Sequence, residues 1–207
     1  MGSSEPFRLF MDGSEKALVV VAQQGQKSES AIDVKARETL ERMFPLVNQV
    51  VDKFGKKYAD LDEIYVTLGP GSNTGLRMSL TQARVFFALK PAARIFGATT
   101  FEVLFRASGL AEAIVLVSDR HESFFYAVYE NGAKVNEGHA KSLAEIKELD
   151  DKALVFSSED ELAKQVAQGR AKSLAIPMEK ALLSLDAYTE YSPNKIQDLV
   201  PDYTEKI

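Results

Sequence analysis

The hydrophobic pattern at the start of the chain predicts strands joined by tight turns. The apolar stretches Phe7–Asp12 and Leu18–Gln23 are separated by DGSEK, and QQGQ leads to a third candidate strand, Lys27–Ile32. Asp and Gly tolerate the backbone angles that tight turns need, so both connections read as turns. We therefore predict a meander of strands at the N-terminus.

A stripe of large apolar residues follows at helical spacing and predicts an amphipathic helix. Asp33 is a suitable cap for its start and Gly55 a suitable end. Pro45 lies inside the stripe, so it either kinks the helix or marks a later start. The stripe consists of Leu40, Met43, Phe44, Val47, Val50, Val51 and Phe54.

Strands and helices alternate over the next segment. Residues 64–68 predict a strand, the glycine-rich stretch GPGSNTG follows, and residues 76–89 predict a second helix. Arg94–Phe96 predicts a short strand. Thr99 or Thr100 can cap the helix after it, with Glu102 near the positive end of the helix dipole.

The second half of the chain starts again with strands. Residues 113–117 form an apolar run that suits a buried strand, and residues 124–129 and 134–137 flank ENGA, a hairpin signal. Helices are predicted around 143–148, 159–167 and 178–185, and an extended tail over 192–207. We therefore predict an α/β protein of two similar lobes, 1–109 and 110–207, with the tail free to pack back on the N-terminal lobe.

Composition narrows the functional classes. The chain has 207 residues, 45% of them hydrophobic and 27% charged, which is ordinary for a globular protein. Its net charge of −5 argues against strong direct binding to nucleic acid. The absence of cysteine excludes disulfides, thiol catalysis and zinc–thiolate sites. Apolar runs are too short for a signal peptide or a membrane span, so we expect a cytoplasmic protein without a membrane segment.

The glycine-rich stretch resembles a phosphate-binding loop but lacks the residues that such loops use. A Walker loop needs G-x-x-x-x-G-K-S/T, and here Gly75 is followed by Leu76 and Arg77. The dinucleotide pattern G-x-G-x-x-G and the hydrolase elbow G-x-S-x-G also fail. A weaker anion site remains open at the N-terminus of the second helix. The alternative, a tight turn from strand to helix, is favoured by the sequence.

Candidate catalytic side chains are sparse. Asp12 ends the first strand, where actin-like folds place a carboxylate that faces metal or phosphate, and Asp119 is the other acid at a comparable strand end. One carboxylate does not make a two-metal site, and a turn role for Asp12 is the alternative. His121 and His139 are isolated, and we predict no metal site. The candidate anion or nucleotide contacts are Asp12, Gly71, Ser72, Gly75 and Arg77.

A set of motifs, in order along most of the chain, is similar to the TsaB (YeaZ) family of bacterial tRNA threonylcarbamoyladenosine biosynthesis. LFMDGS resembles the family's opening L-A-L/I-D-T-S, and LGPGSNTGLRMSLTQAR resembles its signature G-P-G-S-F-T-G-L-R. ARIFGATTFEVL, SDRHESFFYAVYENG and VPDYTEKI are similar to the later family segments. The chain is identified on these motifs as a divergent member.

Several positions depart from the family pattern. Asn73 replaces the usual aromatic residue and Ser79 the usual glycine. Ser118 stands where the second-half motif has aspartate, and Thr204 and Glu205 replace the closing L/V-R. The sequence leaves open whether a chain with these differences still binds the family's partner.

The resemblance implies an actin-like, ribonuclease-H-like (ASKHA) fold with mixed sheets and flanking helices. It also implies a subunit that performs no chemistry itself, because the paralogue TsaD holds the metal and transfers the threonylcarbamoyl group. TsaB-like proteins form a heterodimer with TsaD through their first two long helices, and the ATPase TsaE joins that pair. We therefore expect no cofactor in this subunit, with ATP and metal in the partners, and a homodimer as an option when the chain is alone.

The apolar arc of the second helix, residues 76–89, supports a partner surface independently of the resemblance. Val85, Phe86 and Leu89 widen the arc beyond what one sheet is expected to bury, and large exposed apolar patches usually mark interfaces. The alternative is that both faces are covered within the monomer. The predicted interface comprises Leu40, Phe44, Val47, Val51, Leu76, Leu80, Ala83, Phe86 and Phe87.

Two other functions stay open from the sequence. One is a nucleotide-binding or hydrolytic enzyme of the actin-like class that uses Asp12, the glycine-rich loop and Asp119. The other is a homodimeric interaction module that uses the same pair of helices on itself.

Overall fold

The structure, a computed structural model, describes residues 5–34, 42–119, 122–146, 152–168 and 170–202. Two mixed sheets with helices packed against them form two lobes. Both lobes thus have the α/β character predicted from the sequence.

The first sheet has the strand order β11-β5-β4-β1-β2-β3. β1 and β2 are antiparallel and β2 and β3 are antiparallel, which makes the predicted meander, whereas β1, β4 and β5 run parallel. The short β11 comes from the C-terminal part of the chain and pairs antiparallel with β5. The strands are β1 Phe7–Asp12, β2 Leu18–Gln24, β3 Lys27–Asp33, β4 Glu63–Thr67, β5 Arg94–Ala98 and β11 Thr189–Tyr191.

Helices cover both faces of the first sheet, so that β1 is buried on both sides. Phe7, Leu9 and Met11 point into a core formed with α1 (Met43–Asp52) and α2 (Asn73–Leu89). Phe10 points to the opposite face, where α3 (Thr100–Ser108) lies between the two sheets. Strands that are buried on both faces read as continuous apolar runs, which explains the sequence LFM within β1.

The second sheet has the order β10-β9-β6-β7-β8. β6, β7 and β8 are antiparallel neighbours, and β9 and β10 extend the sheet in parallel from β6. α3 and α5 pack on one face of this sheet and α4 on the other. The elements are β6 Ala113–Ser118, β7 Phe124–Glu130, β8 Ala133–Ala140, β9 Leu154–Ser157, β10 Ser173–Ile176, α4 Glu161–Ala167 and α5 Met178–Ala181.

Several predicted elements differ from the structure. Pro45 lies in the first turn of α1, where the missing N–H is tolerated, so it marks the start of the helix and does not kink it. α2 begins at Asn73, before the predicted start, because Ser72 caps it. The predicted helix over 178–185 is α5 followed by a 3-10 helix, Leu185–Ala187. Leu40, in the predicted stripe, lies outside the described residues.

The end of the chain also differs from prediction. Part of the tail predicted as extended forms a 3-10 helix, Pro193–Asp198. Beyond it, Leu199 is fully buried in the core of the first lobe. The N–H of Asp202 donates to the carbonyl oxygen of Leu68 at 2.6 Å. The described tail therefore returns to the first lobe.

Candidate functional site

The glycine-rich loop is held against the turn after β1 by contacts between backbones. A Cβ atom added at Gly71 would lie 2.1 Å from the carbonyl oxygen of Ser14, and one added at Gly75 would lie 2.0 Å from that of Gly13. The N–H of Ser72 donates to the carbonyl oxygen of Ser14 at 2.6 Å. Only glycine leaves room for this approach. The glycines thus join the two turns tightly.

Ser72 caps α2, which begins directly after the loop. Its Oγ accepts the N–H of Gly75 at 3.4 Å, and Ser72 has the extended backbone of a capping residue. One of the unpaired N–H groups at this helix end is therefore used within the chain. Arg77, the fifth residue of α2, is exposed.

Asp12 is completely buried at the end of β1. Its Oδ1 accepts the N–H of Ser14 at 3.2 Å and the hydroxyl of Thr67. Its Oδ2 is buried without a hydrogen-bond partner among the described residues. Burial raises the pKa of Asp12 above its usual range, although the bonds from Thr67 and Ser14 act in the opposite direction. Asp12 therefore makes the turn contact that was predicted as the alternative to a catalytic role, and its contact with an anion or nucleotide stays a prediction.

A cleft of about 340 Å³ separates the two turns of the first lobe from the second lobe. Carboxylates dominate its lining, and Lys16 is the only basic residue in the described wall. Gly71 and Ser72 belong to this wall, whereas Asp12, Gly75 and Arg77 do not. The lining residues are Ser14, Glu15, Lys16, Gly71, Ser72, Ser118, Asp119, Glu122, Glu161, Leu162 and Gln165.

Glu15 connects the floor of the cleft to the second lobe. Its Oε2 lies 2.9 Å from the hydroxyl oxygen of Ser157, which ends β9. Burial raises the pKa of Glu15 well above its usual range, and the nearby carboxylates of Asp160, Asp12 and Glu159 raise it further. Several acidic side chains therefore lie close together between the two lobes.

Asp160 fixes the opposite wall of the cleft. Its Oδ1 accepts the N–H of Ala163 at 2.9 Å and so caps α4. Its Oδ2 accepts the N–H of Ser118 at 2.8 Å, at the end of β6. Asp119 follows Ser118 in the chain, and its Oδ2 lies 3.2 Å from Nε2 of His139. Within the described residues, no group of three or more His, Cys, Asp or Glu side chains could hold a metal ion.

Three exposed apolar side chains, Phe44 of α1 and Val85 and Leu89 of α2, define a seam on the surface of the first lobe. The ring of Phe44 lies 6.3 Å from that of Phe86 and 5.3 Å from that of Tyr58, measured between centroids. Phe44 is 42% exposed, and Val85 and Leu89, one turn apart on α2, are 45% and 68% exposed. Apolar side chains of this size on the surface are candidates for contact with another protein.

The model of the TsaD family, described as tRNA N6-adenosine threonylcarbamoyltransferase, matches residues 30–191. The chain belongs to the TsaD family. A search of curated proteins found no match to it.

Solved structures show the same fold over nearly the whole of this TsaD-family chain. YeaZ from Pseudomonas aeruginosa is 18% identical, with a TM-score of 0.70, 96% of this chain covered and 99% of that chain. An uncharacterized protein with similarity to peptidase YEAZ, from Pseudomonas aeruginosa, is 17% identical, with a TM-score of 0.73 and coverages of 97% and 100%. The predicted two-lobed actin-like fold is thereby confirmed, and the TsaD-family match agrees with the predicted resemblance to the TsaB (YeaZ) family.

Most of the predicted interface residues are buried in this TsaD-family chain. Phe44 is exposed, and Leu40 lies outside the described residues. Val47, Val51, Leu76, Leu80, Ala83, Phe86 and Phe87 are buried in the monomer. A partner docked on the seam would therefore meet Phe44, Val85 and Leu89 over this buried layer, and the interface itself stays a prediction.

Sequence reasoning missed the residues that join the lobes. Glu15 and Ser157 are separated by 142 positions in the chain. Nothing in the local pattern of either residue indicates this contact. Ser157 and Asp160 lie in and after β9, a short strand that the hydrophobic pattern did not predict.

Proposed function

We propose that this chain is the non-catalytic partner subunit of a complex that forms threonylcarbamoyladenosine in tRNA, and that it binds and supports a TsaD-like paralogue. The observation that carries the proposal is the match to YeaZ over almost the entire length of both chains. In this proposal the protein acts in the cytoplasm, and a TsaE-like ATPase joins the pair.

The geometry of the glycine-rich loop agrees with a non-catalytic role for this chain. At Gly71 and Gly75, the space that a side chain would need is occupied by the backbone of Ser14 and Gly13, respectively. Asp12, the acid best placed to face a phosphate, accepts hydrogen bonds from its own turn and from β4. These residues thus build the junction of β1 and α2, which carries the seam.

The seam supplies a surface for the paralogue. Phe44, Val85 and Leu89 are exposed, while the aromatic stack of Tyr58 and Phe86 holds Phe44 in place. Rigid apolar anchors that lose their solvent on docking usually provide most of the energy of an interface. Because these side chains are exposed in the single chain, a docked partner would bury them.

Leu89→Asp tests this docking surface. We expect the substitution to weaken binding to the TsaD-like paralogue by about 2 kcal/mol, roughly 30-fold in Kd, because it places a charge in an apolar contact. Isothermal titration calorimetry of the purified pair measures the change. Val135→Asp is the matched control, since Val135 is a comparably exposed apolar residue on β8 of the second lobe.

Other outcomes decide between the remaining functions. Equal affinity of the Leu89→Asp variant and the wild type would move the interface away from the seam. A homodimer on a sizing column, with no heterodimer after mixing, would favour the homodimeric module. Binding of ATP with magnesium at micromolar concentration together with turnover would favour the nucleotide enzyme.

A further inference from the structure

The lobes meet at a serine hydroxyl that lies between two carboxyl groups. Ser157 Oγ is 2.9 Å from Oε2 of Glu15, in the first lobe, and 2.8 Å from Oε2 of Glu159, in the second. A hydroxyl carries one proton, so it can donate to only one of these carboxyl groups. The second contact is a hydrogen bond only if that carboxyl group supplies a proton of its own.

The surrounding bonds place that proton on Glu15. Glu159 already accepts the N–H of Met178 at 2.9 Å and the hydroxyl of Ser158 at 2.8 Å. Ser157 Oγ in turn accepts the N–H of Glu159 at 3.1 Å. Oε1 of Glu15 is buried and accepts no bond from the described residues. With a proton on Glu15 Oε2, both short contacts of Ser157 Oγ are hydrogen bonds with one donor and one acceptor each.

The charges that face Glu15 favour the same protonation state. Asp12 approaches from the end of β1, and Glu159 and Asp160 approach from the connection between β9 and α4. Lys16 follows Glu15 in the chain but is exposed to solvent. The other charged groups in the described wall of the cleft are Asp119, Glu122 and Glu161.

We propose that a proton on Glu15 links the two lobes. The protonated carboxyl of Glu15 donates to Ser157 Oγ, and Ser157 donates to Glu159. When Glu15 releases the proton to solvent, the carboxylate and Glu159 compete for one hydroxyl, and a further negative charge arises beside Asp12 and Asp160. The link then breaks and the cleft widens, so that the separation of the lobes follows pH.

Distances between spin labels in the full chain test this link. The protein has no cysteine, so cysteines introduced at exposed Thr74 and Gln165, on either side of the cleft, carry the only labels. We expect the distance distribution of this labelled protein to shift to longer distances between about pH 5 and about pH 9, as the buried acid ionises. An unchanged distribution would overturn the proposal.

Substitutions at Glu15, Ser157 and Glu122 provide comparison variants for the same distance measurement. Glu15→Gln keeps a donor beside Ser157 and removes the titration, so we expect the short distance at both pH values. Ser157→Ala removes the middle of the link and should give the long distance at both. Glu122→Gln, an exposed carboxylate of the same cleft, should keep the wild-type response. A Glu15→Gln variant that opens with pH as the wild type does would contradict the role of Glu15.

Discussion

At the scale of residues, the buried carboxylates Asp12 and Asp160 accept hydrogen bonds from backbone N–H groups and, for Asp12, from a hydroxyl. Asp12 accepts bonds from Ser14 and Thr67, yet desolvation still dominates and raises its pKa. A buried acid with a raised pKa binds a proton more tightly in the folded state than in the unfolded state. Its contribution to stability is therefore present at low pH and lost as the pH rises through the folded pKa.

Asp12→Asn tests the sign of this dependence. The amide stays neutral and keeps an oxygen for Ser14 and Thr67, so we expect the wild type to lose stability relative to the variant as the pH rises above the usual aspartate range. The loss is about 1.4 kcal/mol for each unit by which the folded pKa exceeds the unfolded one. Urea unfolding at a series of pH values measures it. Asp186→Asn, at an exposed position, serves as the control, and a difference that is independent of pH would refute the prediction.

At the scale of elements, patterns within a short segment predicted strands and helices well. β1 matched its predicted range, because its apolar run is bounded by the DGS turn. The cap of α3 at Thr99 followed from a single residue type at a helix start. β9 and β10 were missed, because the first has only four residues and most of the second is exposed.

The burial of α2 shows what a helical pattern leaves undecided. The sequence indicated a wide apolar arc, but it could not say how much of that arc the first sheet and α1 would cover. Phe86 and Phe87 are buried, whereas Val85 and Leu89 are exposed. A charge at Phe87 would therefore test folding, and a charge at Leu89 tests docking.

The junction of β1 and α2 gives a prediction at this scale. Gly75→Ala would place a Cβ atom 2.0 Å from the carbonyl oxygen of Gly13, and both atoms belong to rigid backbone. We expect a loss of about 3 kcal/mol in the free energy of unfolding, because overpacking forces the two turns apart. Urea denaturation measures the change.

Gly55→Ala is the matched control for the junction. Gly55 has a φ of +62° and no described atom within 4 Å of an added Cβ, so the substitution meets only backbone strain of about 1 kcal/mol. Equal losses for the two variants would show that the contact between the turns is not the cause.

At the scale of the whole molecule, the C-terminal part of the chain binds the first lobe. β11 pairs with β5, and Leu199 is buried in the core of the first lobe. Nη2 of Arg84, on α2, donates to the carbonyl oxygen of Leu199 at 2.6 Å. These contacts connect the end of the described chain to α2, which carries part of the seam.

No described helix is long and apolar enough to cross a membrane.

Leu199→Ala tests the contribution of this return. Leu199 is fully buried, so we expect truncation to cost about 3 kcal/mol in the free energy of unfolding through lost burial and the cavity that remains. Thermal and urea unfolding measure it. Val200→Ala, at a half-exposed neighbour, should change stability by less than about 0.5 kcal/mol. A Leu199→Ala variant as stable as the wild type would show that the return is dispensable.

The pairing of β11 with β5 has a consequence for the order in which the protein is made. The ribosome releases the N-terminal lobe first, and domains generally begin to fold in that order. The edge of β5 and the space filled by Leu199 nevertheless wait for residues that are translated after the whole second sheet. A nascent chain halted after β10 would hold a complete second sheet and an unfinished first one. Of the two lobes, the one that emerges first is thus completed second.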